Sequence, residues 1–104
     1  MERSELLSRA KAALQRAFGP RLRGLILYGS EARGTADADS DIDLLVLLEG
    51  PVDHWEDAGR CIHALYPLVL ELERPIHAKP VDVRQYRSQK WPLYRRVRRE
   101  GMRA

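Results

Sequence analysis

Apolar residues return every three to four positions at the start of the chain. Leu6, Leu7, Ala10, Ala13, Leu14, Ala17 and Phe18 line one face of a helix over 4–18. Ser4 is placed to cap it, and Gly19-Pro20 stops it. The period then changes. Leu22 to Tyr28 is a short, nearly unbroken apolar run of strand type that halts at Gly29-Ser30. Residues 31–40 are small and polar, which predicts a short helical turn followed by a loop. Asp41 to Leu48 is a second strand whose continuous apolar half predicts cover on both faces. Asp53 can cap a third segment, helical through Trp55, Ala58, Ile62 and Leu65, in which Pro67 predicts a kink or a division. Ile76 to Val83 is a third strand, and Pro80 places it at an edge. The segment from Arg84 reads as part helix, interrupted at Trp91-Pro92 and stopped at Gly101. This order predicts a small α/β (α+β) domain over 1–104, a three- or four-stranded sheet with helices packed on it.

Size and composition narrow the class. The chain has 104 residues, 44% hydrophobic and 32% charged, which suits one globular unit and not a disordered or fibrous one. Its longest apolar run, Leu44 to Leu48, is far short of the ~20 residues of a membrane span. The single cysteine, Cys61, excludes a disulfide framework and reads as a core residue. The start of the chain shows no signal-peptide core, so a cytoplasmic protein is expected.

Charge adds an asymmetry. Residues 84–104 carry eight basic side chains against one acid, Glu100, a net +7, and the rest carries −4. Such a segment fits an anionic partner, contact with the acidic body, or a solvated basic helix. Trp91, Pro92, Leu93 and Tyr94 within it read as packing that ties the segment down, and more weakly as a nucleic-acid feature.

The candidate chemistry lies in Gly29-Ser30-Glu31-Ala32-Arg33-Gly34 and in Asp41-Ile42-Asp43-Leu44. Gly29-Ser30 sits where a strand hands over to a helical turn. There a glycine allows close backbone approach, and free N–H groups can receive phosphate. Asp41 and Asp43 are two apart on a strand, so both side chains take one face. Two carboxylates held together repel unless a cation lies between them, and Mg²⁺, which takes oxygen ligands and substrate phosphates, suits such a pair. Each feature alone is weak; in this order they place a triphosphate beside its metal.

Gly29-Ser30-x-Ala32-Arg33-Gly34 … Ser40-Asp41-x-Asp43-Leu44 resembles the signature of the minimal nucleotidyltransferases of the DNA polymerase beta superfamily. That resemblance implies a small mixed sheet with helices and a Gly29-Ser30 turn that holds a nucleoside triphosphate, ATP first. Divalent metal, Mg²⁺ or Mn²⁺, would be held by Asp41 and Asp43, and a third carboxylate would come from the next strand. It also implies transfer of a nucleotide to an acceptor hydroxyl. A chain this short has no acceptor domain, so a partner or a second copy must supply the acceptor. Relatives of this kind pair with a small all-helical HEPN protein, some as antitoxins that adenylylate it.

Two positions leave alternatives open. Asp82 is the one aspartate on the third strand and the candidate third catalytic carboxylate. Asp82-x-x-Gln85 also has the form of a capping box, in which case the carboxylate's place, about five residues earlier, falls to His77. Arg33 can contact the triphosphate through its fork of donors, or pair with Asp37 or Asp39. Without a third carboxylate, the rival reading is a catalytically weak or inactive nucleotide-binding antitoxin module of a HEPN-type pair. A nucleic-acid adaptor working through the basic segment is a third.

Overall fold

The computed structural model describes residues 1–37 and 39–104. Helix α1 (Arg3–Phe18) passes through a short turn at Gly19–Arg21 into strand β1 (Leu22–Tyr28). The short helix α2 (Gly29–Arg33) follows, then β2 (Ile42–Leu48), α3 (His54–Leu72) and β3 (Ile76–Asp82). The chain ends in α4 (Val83–Ser88), α5 (Pro92–Glu100) and the two-residue strand β4 (Met102–Arg103). The four strands form one mixed sheet of order β3-β2-β1-β4. β1 is antiparallel to both β2 and β4, and β2 runs parallel to β3.

Side-chain alternation along β1 and β2 divides the interior into two layers. Leu25, Leu27, Leu44, Val46 and Leu48 face α1 and α3, joining Leu7, Ala10, Leu14, Cys61 and Leu65. Ile26, Leu45 and Leu47 face the other way, onto Val81, Val83, Tyr86, Tyr94 and Val97 from β3, α4 and α5. Every residue from Leu44 to Leu48 is fully buried, as the unbroken apolar run predicts for a strand covered on both faces.

The interior also decides what the basic segment does. Among the described residues, none of its basic side chains makes an ion pair with the acidic body. Tyr94 and Val97 bury against the sheet, Tyr94 meets Tyr86 edge-on at 5.8 Å, and the arginines point outward.

Two local expectations are corrected. Ser4 is not the cap of α1; the helix starts at Arg3, and Glu2 in the cap position makes no side-chain cap bond. Pro67 does not divide α3, which continues to Leu72. Pro67 is exposed, and so is His63, whose carbonyl loses its helical donor, so the lost bond lies on the solvent side. The fourth strand of the expected three- or four-stranded sheet is β4, at a place the sequence does not mark. Two residues carry no periodicity, and its pairing with Ile26 and Leu27 becomes visible only once Gly101 turns the chain back onto β1.

Asp53 caps α3 as expected, accepting from the backbone N–H groups of Trp55 and Glu56 at 3.0 Å each. One turn on, the nearly buried Asp57 takes both arms of Arg21 at 3.0 Å. Arg21 also reaches the carbonyls of Glu49 and Pro51, so it clamps the β2–α3 connection to the start of β1. Hydrogen bonds from Arg21 hold the Asp57 carboxyl below the ordinary aspartate range, against the opposing effect of burial.

Candidate active site

The chemistry gathers where β1 ends and β2 begins. Because these strands are antiparallel, Tyr28 at the end of β1 stands opposite Asp43 near the start of β2. Gly29 turns the corner with φ of 76°, in the left-handed region where a side chain is strained. A Cβ added there would lie 2.5 Å from Asp43 Oδ2, so the turn and the carboxylate touch through the space a side chain would need. Gly34, with φ of 75°, ends α2 in the same backbone region but with nothing within 4 Å of an added Cβ. At Gly29 the glycine is required twice, by conformation and by space.

On the other side of β2, the parallel register sets Asp43 beside His77 of β3. His77 Nε2 is 2.8 Å from Asp41 Oδ2. Asp41, Asp43 and His77 thus share one end of the sheet, on the face that carries α4 and α5. Asp43 is partly buried, and its pKa is pushed up. Loss of solvation is the largest cause and the Asp41 charge adds to it, while His77 and Arg33 pull the other way. Tyr28 is raised as well, first by burial and then by Asp43, with Arg96 of α5 opposing. Burial thus disfavours the charged form of Asp43, and His77 and Arg33 partly offset it.

Asp82 is not part of this cluster. It pairs with Leu48 at the far end of β2, five residues of strand from His77, roughly 16 Å at ordinary strand rise. Its carboxylate caps α4 by accepting from the N–H of Arg84 at 2.8 Å. The capping reading of Asp82 is the one that fits, and the position beside Asp41 and Asp43 belongs to His77. Arg33 pairs with neither Asp37 nor Asp39. It reaches Glu100 of α5 at 3.4 Å, while Asp37 accepts from Ser40 and from the N–H of Asp39. Ser30 lies in the first turn of α2, and its carbonyl accepts from Thr35.

Two residues that the sequence did not single out hold the site in shape. Arg74, just past α3, donates to Glu31 of α2 at 2.8 Å and to the carbonyl of Ser40 at 3.0 Å. This pair is largely buried, and it ties α2 to the residue directly before Asp41. Glu31 occupies the unspecified position of the motif, and Arg74 lies more than thirty residues downstream, so no local spacing connects them.

A family model described as a nucleotidyltransferase domain matches residues 7–103. The chain belongs to the nucleotidyltransferase domain family. Among solved structures, a candidate minimal nucleotidyltransferase is 32% identical with a TM-score of 0.60, covering 98% of this chain and 95% of that one. A toxin–antitoxin crystallised with AMP-PNP is 26% identical with a TM-score of 0.61, covering 90% of this chain and 68% of that chain. The toxin–antitoxin MntA-HpeT, as a Y104A mutant, is 25% identical with a TM-score of 0.61, covering 93% of this chain and 70% of that chain. Comparison with curated protein sequences returns no match.

In this nucleotidyltransferase domain, no three His, Cys, Asp or Glu side chains among the described residues close on one point as a complete metal cage. That still suits a cation of the Mg²⁺ type, which is held by one or two carboxylates and completed by substrate phosphate and water. No helix among the described residues is long and apolar enough to cross a membrane.

Proposed function

We propose that this domain transfers a nucleoside monophosphate from a triphosphate, ATP first, to an acceptor hydroxyl, with Mg²⁺ or Mn²⁺ held by Asp41 and Asp43. The observation that carries the reading is the contact geometry at Gly29. The turn suited to a triphosphate and the more buried carboxylate share one small space, so phosphate and cation bind side by side. The backbone of Gly29 and Ser30 receives the terminal phosphates. Asp41 and Asp43 present oxygens to the cation from one strand face, and His77 fixes the orientation of Asp41 through its hydrogen bond. Arg74 and Glu31 keep the turn and the strand in register. The metal, when bound, supplies charge neutralisation at the phosphates and a lowered pKa for the acceptor hydroxyl. The acceptor oxygen forms the new bond to the α-phosphorus, in line with the bond to the departing pyrophosphate.

The acceptor comes from outside the domain, on a protein partner or a second copy. The similarity to toxin–antitoxin structures supports a protein partner, and the motif resemblance implies a small helical protein of the HEPN type. Asp41 and Asp43 support turnover. His77 in place of a third carboxylate favours a second reading, a nucleotide-binding antitoxin module with little or no turnover.

The test is thermal unfolding with and without Mg²⁺ and ATP. Ligands that bind only the folded state raise the midpoint, and Mg²⁺ with ATP should raise it more than either alone. Asp41→Asn with Asp43→Asn should remove that response, and an unchanged response in the double variant would displace the metal from this site. Transfer of labelled nucleotide to a partner then separates enzyme from binding module.

A further inference from the structure

Among the described residues, six of the eight arginines before residue 84 are ion-paired; Arg3 and Arg16 are not. Arg9, Arg21, Arg23, Arg33, Arg60 and Arg74 each make an ion pair with a carboxylate. None of them lies in residues 84–104. Among the described residues, no basic side chain of that segment makes an ion pair, and its one acid, Glu100, is engaged by Arg33 from outside the segment. The positive charge there is not ion-paired; Glu49 and Asp82 line a cavity with Arg84 and Arg87, but no acid lies with Arg98 and Arg103.

The fold displays this charge on one surface. Tyr94 and Val97 turn inward on α5, which sets Trp91, Arg95, Arg98 and Arg99 along the outer side at helical spacing. Arg95 folds back to donate to the carbonyls of Gln89 and Lys90, fixing its guanidinium over the α4–α5 turn, one helical turn from Trp91. Between α4, α5 and β4 lies a cavity of about 370 Å³. Arg87, Arg98 and Arg103 line it together with Gln89, and no acid does. Trp91 itself is 62% exposed, an indole held out amid the arginines.

Arginines spread over three elements match a row of phosphates, each receiving a planar fork of donors. An acidic protein surface would use the same charges and would need a shaped pocket to take the indole, whereas a base needs only the open ring face. Bases stack on such a ring irrespective of sequence. We propose that the α4–α5–β4 face is a second binding site, for single-stranded nucleic acid, with Arg87, Arg95, Arg98, Arg99 and Arg103 on phosphates and Trp91 stacked on a base. This site shares no residue with the Asp41–Asp43 centre, and binding there does not depend on nucleotidyl transfer.

Fluorescence anisotropy of labelled single-stranded 20-mers, RNA and DNA in separate arms, tests it without ATP or metal. Binding of either strand is expected at 50 mM salt, falling steeply by 200 mM because phosphate contacts release counterions. Arg98→Gln with Arg99→Gln should weaken binding and flatten the salt slope by about one to two. Trp91→Ala should weaken it about tenfold at unchanged slope. Lys11→Gln, on α1 in the opposite layer, should leave both unchanged. No binding at 50 mM salt overturns the proposal. So does polyglutamate binding as tightly as the oligonucleotides with no effect of Trp91→Ala, which would assign the face to an acidic protein. Circular dichroism of each variant guards against loss of fold.

Discussion

At Gly29 one hydrogen atom stands where any other residue would drive a carbon into Asp43. Gly34 shares its backbone region but has open space, so the two glycines form an internal control. Alanine at either position carries backbone strain of about 1–2 kcal/mol. Only Gly29→Ala also displaces Asp43. The expected outcome is a similar loss of stability for both variants, while Gly29→Ala alone loses ATP and metal binding by calorimetry. Equal ATP binding by the two would remove the turn from the site. At this scale the sequence was legible wherever the candidate site rests on neighbours along the chain. Gly29, Asp41 and Asp43 announce themselves through spacing. His77 and Arg74 act across strands and layers, and their partners lie 36 and 34 or more residues away. Strand register sets what His77 touches, and the packing of α2 beside the end of α3 sets what Arg74 touches.

Among the elements, β3 shows how one strand separates two roles. Its first residues reach the Asp41–Asp43 end, and its last residue, Asp82, opens α4 at the other. Asp82→Ala should therefore cost about 1 kcal/mol of stability through the lost cap, and Asp82→Asn, which caps nearly as well, should cost little. Chemical denaturation measures the first effect and transfer of labelled nucleotide the second. Loss of transfer in Asp82→Asn at unchanged stability would return Asp82 to the chemistry. The strands and long helices follow from hydrophobic period, and the two-sided cover of β2 from its unbroken apolar run. The start of α1 and the existence of β4 do not, because a helix end without a side-chain cap and a two-residue strand leave no pattern to detect.

For the molecule as a whole, Arg21 and Asp57 join the α1–β1 connection to the loop that leads into α3. The Asp57 carboxyl is held below its ordinary range, so the unfolded chain binds a proton there at a higher pH than the folded one. Its contribution to stability is complete above the ordinary aspartate pKa, about 3.9, and fades as pH falls through the lower folded value. Stability measured by urea denaturation should decline from about pH 4 downward, and Asp57→Asn, less stable at neutral pH, should show a shallower decline over that window. Parallel curves for the two proteins would place the acid sensitivity in other carboxylates.

The position of β2 has a consequence for how damage elsewhere would register. Asp43 extends from a strand whose next five residues are sealed on both faces and paired on both edges. Such a strand opens only with the global transition, whereas frayed ends and surface turns open by themselves. Small losses of core packing far from the site would therefore change how many molecules are folded at a given moment and leave each folded molecule's carboxylates in place. In a titration with nucleotide, they would weaken the apparent affinity in proportion to the folded fraction and leave one site per chain at saturation, because nucleotide draws unfolded chains back to the folded state.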